Sequence, residues 1–517
     1  MRRFPLVVIA ACLLALTACS TPPAPEPTVT TLPGPTLTPT LTATPTPTPT
    51  VNPALAPFMS QKLKWKKCEG NLECTTLLVP LDYAAPEYST LKIAVIRRTA
   101  TDTKKHKNAI VVNPGGPGGS GFDYVANSST IVGSTVAKTF DVVGFDPRGV
   151  GRSSPIKCLT PEQSDRFYAS DGSPDSDAEA TAVFLIGKEF AKVCEYADPT
   201  ILGFLGTRES AQDMDILRAA LGQKQLNYVG KSYGTSLGTQ YAKQFPTKVG
   251  RFVLDGAIDP SLDADSFAAG QAIGFERALQ AFLKDCVQRT SCALGRSVTK
   301  AQDRLNVFFR QLDATPEQVG DRKLTEALGT LGVAASLYSR DSWGTLRKAL
   351  AQGLRGDGRG LLALADYYSN RNEDGTYADN SLDSFYAITC VDRTDSKGID
   401  AIQALATKLT ENNSSTFGAF IAWGSTPCSS WPVKATLVPE KVTATGSRPI
   451  VVVGTTRDPA TPFEWSQSLA DQLAKGVLVT RDGDGHTGYR QGNSCVDEVI
   501  DLYLAKGTVP EDGLFCS

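Results

Sequence analysis

Histidine is nearly missing from this chain: among 517 residues there are two, His106 and His486, beside three methionines and five tryptophans. With so few imidazoles, and with no Cys-x-x-Cys pair among the twelve cysteines, neither a structural nor a catalytic zinc site is expected. No other metal or cofactor is called for. A surplus of charge is also lacking, since 52 Lys and Arg face 54 Asp and Glu for a net charge of -2. That balance gives no electrostatic ground for a nucleic-acid partner or for adhesion to an anionic membrane surface. Long apolar runs are absent with one exception, residues 4–18, broken by Pro5 and Thr17. At 15 residues the run is short for a membrane span but suits a signal peptide, and Met1-Arg2-Arg3 supplies the positive flank.

The run ends in Leu16-Thr17-Ala18-Cys19, which resembles the lipobox of bacterial lipoproteins. Residues 1–18 are therefore expected to be a signal peptide and Cys19 the lipidated residue. The protein would then sit outside the cytoplasm, on the outer face of the cell membrane, held by that lipid alone. The plainer alternative is an ordinary signal peptide cut near Ala18. Residues 19–57 are mostly threonine and proline, with Thr-Pro repeated at 44–49. Such a tract buries too little apolar surface to fold and reads as an extended stalk of up to ~100 Å, at ~3 Å per residue.

Without Cys12 and Cys19 ten cysteines remain, an even number that in an oxidising compartment reads as disulfides. Their spacing suggests sequential pairs: 68 with 74, 158 with 194, 286 with 292, 390 with 428, and 495 with 516.

From about residue 60 short β-rich runs recur at 109–113, 141–145, 226–229, 252–254, 450–453 and 477–480, with helical periodicity between several of them. Alternating strands and helices predict an α/β fold with a mostly parallel sheet covered on both faces. One interval does not fit: 195 residues separate Leu254 from Ile450, where a βαβ crossover needs only ~30. Helical patterns at 267–287, 300–312, 324–338, 343–354 and 361–368 fill it. We read residues 58–260 and 441–517 as two parts of one core, and 261–440 as an inserted helical cap.

The strongest chemical motif is Gly230-Lys231-Ser232-Tyr233-Gly234, preceded by a strand pattern and followed by a helical one at 235–245. A nucleophile on a sharp strand-to-helix turn needs neighbours without side chains, and the helix N-terminus adds positive potential where an oxyanion would form. In that context Ser232 is a candidate nucleophile. Its base must titrate near neutral pH. His106 lies in a solvated run, Lys104-Lys105-His106-Lys107, whereas His486 follows the last predicted strand in Asp482-Gly-Asp-Gly-His486. His486 is the candidate base.

In this chain order the acid should follow the preceding strand, which selects Asp458 over Asp482 and Asp484. Thr461, Pro462 and Glu464 match a capping box, so Thr461 is expected to start the helix behind that loop. The glycine-rich run Asn113-Pro-Gly115-Gly116-Pro-Gly118-Gly119-Ser-Gly121 offers backbone amides for an oxyanion hole. Gly116 is favoured and Gly115 possible, with the amide of Tyr233 as second donor. Gly116, Gly118 and Gly121, with Asp141 further on, also match a dinucleotide-binding fingerprint. Pro114 and Pro117 remove amides that such a loop would use.

The blocks VVNPGGPGGSG, FDVVGFDPRGVGRSSP, YVGKSYGTSLGTQYA, TRDPATP and GDGHTGY, in this order, resemble the secreted tripeptidyl aminopeptidases of actinobacteria. Those enzymes are relatives of prolyl iminopeptidase within the α/β-hydrolases. The likeness runs from about residue 60 to the C-terminus. It implies the α/β-hydrolase fold, with Ser232, Asp458 and His486 as triad, and peptide substrates entered from a free N-terminus. An esterase or lipase with the same triad, or a binding lipoprotein without catalysis, are the alternatives. Asp392 and Glu276 are candidates for meeting the substrate ammonium, and Lys231 beside the nucleophile for biasing specificity.

Overall fold

The computed structural model describes residues 52–102, 108–393 and 397–517. The expected signal peptide, Cys19, the threonine- and proline-rich tract up to residue 51, and His106 lie outside the described residues. Helical turns at Pro53–Leu55 and Ala56–Met59 bring Phe58 and Met59 against the core. Residues 53–57, given to the stalk on composition, therefore belong to the folded body, which packs as one unit from Asn52 to Ser517.

Among the described residues its frame is a sheet of ten strands. Three lead in: β1 (Lys66–Cys68), β2 (Leu72–Pro80) and β3 (Thr90–Arg98). Then come β4 (Asn108–Asn113), β5 (Phe140–Phe145), β6 (Leu226–Lys231) and β7 (Val249–Asp255). A small separate hairpin, β8 (Glu317–Val319) and β9 (Arg322–Leu324), precedes β10 (Ile450–Arg457), β11 (Gly476–Asp484) and β12 (Leu514–Cys516). The order is β1-β2-β3-β5-β4-β6-β7-β10-β11-β12. From β5 to β12 every neighbouring pair is parallel, and the pairings of β1, β2, β3 and β5 are antiparallel.

The central strands are continuous apolar runs because both of their faces are covered. Successive side chains alternate between faces. Val111 and Leu254 pack on one side, with Leu217 and Leu237; Val112 and Val253 pack on the other, with Ile500 and Tyr503 of the Ser494–Lys506 helix. All six strands expected from sequence are present. Strands β1 to β3 and β12 were not anticipated. β3 did carry a signal, a Leu91, Ile93, Val95 alternation whose side chains are buried, but β12 is three residues long.

Between β7 and β10 the chain forms helices, among them Ala264–Val287, Val298–Ala314, Glu326–Leu337, Trp343–Gly353, Arg359–Ser369, Ser381–Asp392 and Ile399–Asn412. Asp263 and Thr325 cap two of them, accepting from the amides of Ser266 and Leu328. Phe282, Leu305, Leu337, Leu346 and Leu361 give this layer a core of its own. It is tied down on the sheet where Gly274 lies against the loop after β10. A Cβ there would stand 2.5 Å from the Pro459 carbonyl oxygen, so only glycine lets the helix approach that closely.

Among the described residues five disulfides form, Cys68–Cys74, Cys158–Cys194, Cys286–Cys292, Cys390–Cys428 and Cys495–Cys516, the sequential pairing suggested by their spacing. No helix among the described residues is long and apolar enough to cross a membrane.

Candidate active site

The loops after β4, β6, β7, β10 and β11 meet at one edge of the sheet, where the strand order turns back between β4 and β6. Crevices at such reversals, beyond the carboxyl ends of parallel strands, are where open α/β sheets bind ligands.

Ser232 stands between β6 and the Tyr233–Gln244 helix with φ 55° and ψ -124°, a conformation costly for a residue with a side chain. Three contacts hold it: its amide donates to the Asp255 carbonyl at 2.9 Å, and its own carbonyl accepts from the Thr235 amide at 2.8 Å and the Thr235 hydroxyl at 2.6 Å. Gly230 must lack a side chain, because a Cβ there would sit 2.3 Å from the Gly234 carbonyl oxygen.

His486 follows β11 directly. Its Nδ1 lies 2.8 and 2.9 Å from the two carboxylate oxygens of Asp458. Asp458 is fully buried and also accepts the amides of Ala460 (3.0 Å), Thr461 (2.9 Å) and Thr487 (2.9 Å), so its orientation is fixed from both sides. The His486 amide donates to the Tyr338 carbonyl at 2.8 Å, and the Tyr338 ring meets the imidazole edge-on at 5.2 Å. The inserted helices thus help to place the histidine.

The other ring nitrogen, Nε2, is buried without a hydrogen-bond partner. Serine and histidine adjoin the same turn: Ser232 bonds to Asp255, and a Cβ on the next residue, Gly256, would lie 3.3 Å from His486 Cε1. A serine–imidazole hydrogen bond is not closed in this state; such bonds commonly tighten only with substrate bound.

Asp482 and Asp484 accept from Arg457 at 2.8 and 2.6 Å, and among the described residues neither hydrogen-bonds the imidazole. Thr461 does not start a helix. The Phe463–Gln472 helix begins after Pro462 without a side-chain cap, and Glu464 pairs with Arg277. The Thr461 hydroxyl lies instead 3.4 Å from His486 Nδ1. The capping box fails because its two side chains have tertiary partners. Thr461 is a site residue that the motif concealed.

The glycine-rich loop runs against the serine turn. A Cβ on Gly115 would fall 2.8 Å from Ser232 Cβ, and the Gly115 amide is engaged by Asn113 Oδ1 at 3.0 Å. The amide of Gly116 makes no hydrogen bond among the described residues. Gly116 and Tyr233 both border the cavity that opens onto Ser232. The dinucleotide reading fails on Asp141, which is buried on β5 and engaged by Arg97 and the Ala100 amide.

Lys231 does not reach the cavity. It is 8% exposed and points beneath the serine, donating to the Tyr489 carbonyl at 2.7 Å, 3.7 Å from Asp255. Burial pushes the Lys231 amine down and the Asp255 carboxyl up. Asp392 borders the cavity, but it is buried and already engaged. Both its oxygens are taken by Thr207, whose hydroxyl also meets the Tyr233 hydroxyl, and burial raises its pKa to about 7. Glu276 is held by Gln280, Gln302 and Ser414.

A serine on a strained strand-to-helix turn, an imidazole clamped by a buried carboxylate, and this sheet order define a serine hydrolase of the α/β type. The relatives agree. The family model described as "TAP-like protein" matches residues 414–516. Serine protease Hip1 of Mycobacterium tuberculosis is 36% identical over 491 residues, 89% of this chain and 92% of its own. Carboxylesterase B of the same species is 37% identical over 483 residues, 89% and 91% of the two chains. Tripeptidyl aminopeptidase of Streptomyces coelicolor is 30% identical over 467 residues, 88% and 86%. The chain belongs to this family of α/β-hydrolase serine peptidases.

Proposed function

We propose that the protein is an exported, lipid-anchored aminopeptidase that releases short peptides or residues from the free N-termini of peptides. Ser232 attacks the scissile carbonyl; His486 takes its proton and returns it to the leaving amine; Asp458 holds the imidazole in the productive tautomer. The amides of Gly116 and Tyr233 receive the developing oxyanion at the positive end of the Tyr233–Gln244 helix. The acyl-enzyme is then hydrolysed through the same groups.

The observation that carries this reading is the cavity of about 600 Å³ that runs from Ser232 beneath the inserted helices. A cleft walled by the inserted helices on the side facing the serine turn admits a chain end more readily than the middle of a polypeptide. The tripeptidyl aminopeptidase among the relatives supports the same substrate class. Cleavage of one peptide chromogen with and without N-acetylation tests it. Loss of most activity on acetylation is expected, and equal cleavage of the two forms contradicts it. For the anchor, Cys19→Ala is expected to release the protein into the medium; retention in high-salt-washed membranes contradicts it.

An esterase is favoured by one observation, the mainly apolar wall of the cavity, with Phe167, Ile186, Phe275, Leu331, Phe417 and Phe420. Preference for acyl esters over every peptide chromogen would establish that reading.

A further inference from the structure

The two amides given to the oxyanion hole, those of Gly116 and Tyr233, come from different parts of the core, yet one inserted helix, Ser381–Asp392, is linked to both. Leu382, Phe385 and Thr389 of that helix border the same cavity as Ser232. Its start is rooted in the loop after β5. The Asn380 side-chain amide donates to the Gly149 and Ile156 carbonyls, each at 2.8 Å, and Asp383 accepts the Cys158 amide at 2.9 Å. The glycine-rich loop packs on that first turn. A Cβ on Gly118, where φ is +94°, would fall 2.8 Å from the Ser381 carbonyl oxygen and 3.1 Å from the Phe385 nitrogen, so only glycine permits the approach.

The end of the helix presents Asp392 to Thr207, 185 positions earlier in the chain. One carboxylate oxygen accepts the Thr207 amide at 2.7 Å, and the other accepts the Thr207 hydroxyl. A hydroxyl has one proton to give. With that proton committed to the ionised carboxylate, the Thr207 oxygen accepts from the Tyr233 hydroxyl at 2.6 Å. All three residues are buried. The Cys390–Cys428 disulfide, two residues before Asp392, clips the helix end to the Thr426–Ser429 turn.

This chain of hydrogen bonds ends on the residue after the nucleophile, where the backbone is strained. Ser232 at φ 55° and ψ -124° persists only because its surroundings over-determine it. Backbone bonds to Asp255 and Thr235 hold Ser232 itself. The Tyr233 ring, fixed at its hydroxyl end, holds the next residue from the side of the inserted helices. An oxyanion donor must stand about 2.7–3.1 Å from the developing charge, so a small rotation of this turn is felt in the rate.

We propose that Asp392 and Thr207 are positioning residues of the hydrolytic reaction: through the Tyr233 hydroxyl they set where the Tyr233 amide points, so that the oxyanion hole is complete only with the inserted helix docked. The proposal rests on the Tyr233 amide being an oxyanion donor. It gives the inserted region a part in the chemistry beyond walling the cavity.

The test uses the whole protein with Asp392→Asn, Tyr233→Phe and the two combined, on p-nitrophenyl butyrate, since esters and amides pass through the same kind of oxyanion. Two probes of one shape report on the hole. One is octyl trifluoromethyl ketone: its carbonyl carbon bonds Ser232 Oγ, the serine proton passes to His486, and the carbonyl oxygen becomes an oxyanion. The other is the corresponding alcohol, which cannot form one. Each single variant is expected to lose about 10-fold in kcat/KM and about the same factor in ketone affinity, with alcohol affinity within about 2-fold of wild type. The double variant should lose no more than either single one, because both cut the same chain. A purely structural role would weaken ketone and alcohol together. Single variants that keep the wild-type ratio of ketone to alcohol affinity, or losses that multiply in the double variant, overturn the proposal. Wild type that binds the ketone no more tightly than the alcohol overturns the oxyanion hole instead, so the two failures are distinct. If Asp392→Asn does not fold, Tyr233→Phe alone decides, since it removes one hydroxyl and keeps the ring: an unchanged ratio there overturns the proposal.

Discussion

Lys231 and Asp255 face each other 3.7 Å apart beneath the nucleophile, on paired positions of β6 and β7. Asp255 also accepts the amides of Gly488 (2.6 Å) and Tyr489 (3.0 Å), while Lys231 donates to the Tyr489 carbonyl. One buried ion pair thereby fastens the loop carrying His486 to the strand carrying Ser232. Removing one member leaves the other charged and unpaired. Lys231→Met and Asp255→Asn are each expected to lose about 3–5 kcal/mol of stability. Denaturant midpoints at neutral pH check this, and losses under 0.5 kcal/mol would refute the clamp.

The two histidines separate the candidate roles. Ser232→Ala and His486→Ala should each lower kcat by roughly 10⁴-fold or more, and Asp458→Asn by about 10⁴-fold, since the amide would favour the wrong tautomer. His106→Ala should leave kcat unchanged. Steady-state kinetics on one peptide chromogen decides, and equal losses from the two histidine variants would contradict the assignment.

The strand-to-helix turn of Ser232 and the pairing of His486 with Asp458 were legible in the sequence because the elements that position them are strongly patterned. Ser232 lies between an apolar strand and a helix, and His486 was isolated by scarcity. Other residues were misread where tertiary partners override local pattern. Lys231 looked like a charge beside the substrate, but a strand residue next to the nucleophile projects to the opposite face and is claimed by Asp255. Thr461 and Glu464 spelled a helix cap, yet Arg277, from a helix nearly 190 positions earlier, takes the glutamate.

Glu326 links stability to pH with a defined sign. Its carboxyl is raised in the fold from 4.5 to about 7, so between those values the folded state binds more protons than the unfolded one. Stability from this group is therefore present at pH 5 and lost as pH rises toward 7. Glu326→Gln should change little at pH 5 and stabilise the protein at pH 8 by an amount on the order of 3 kcal/mol. Unfolding free energies at both pH values check it, and the same difference at each would refute the assignment.

Labelling with a fluorophosphonate, followed by mass spectrometry of the digested protein, tests most directly that Ser232 is the nucleophile. One adduct per chain is expected, on the peptide containing Ser232, absent in Ser232→Ala and formed far more slowly in His486→Ala. An adduct on any other residue, or labelling of Ser232→Ala at the wild-type rate, would contradict it.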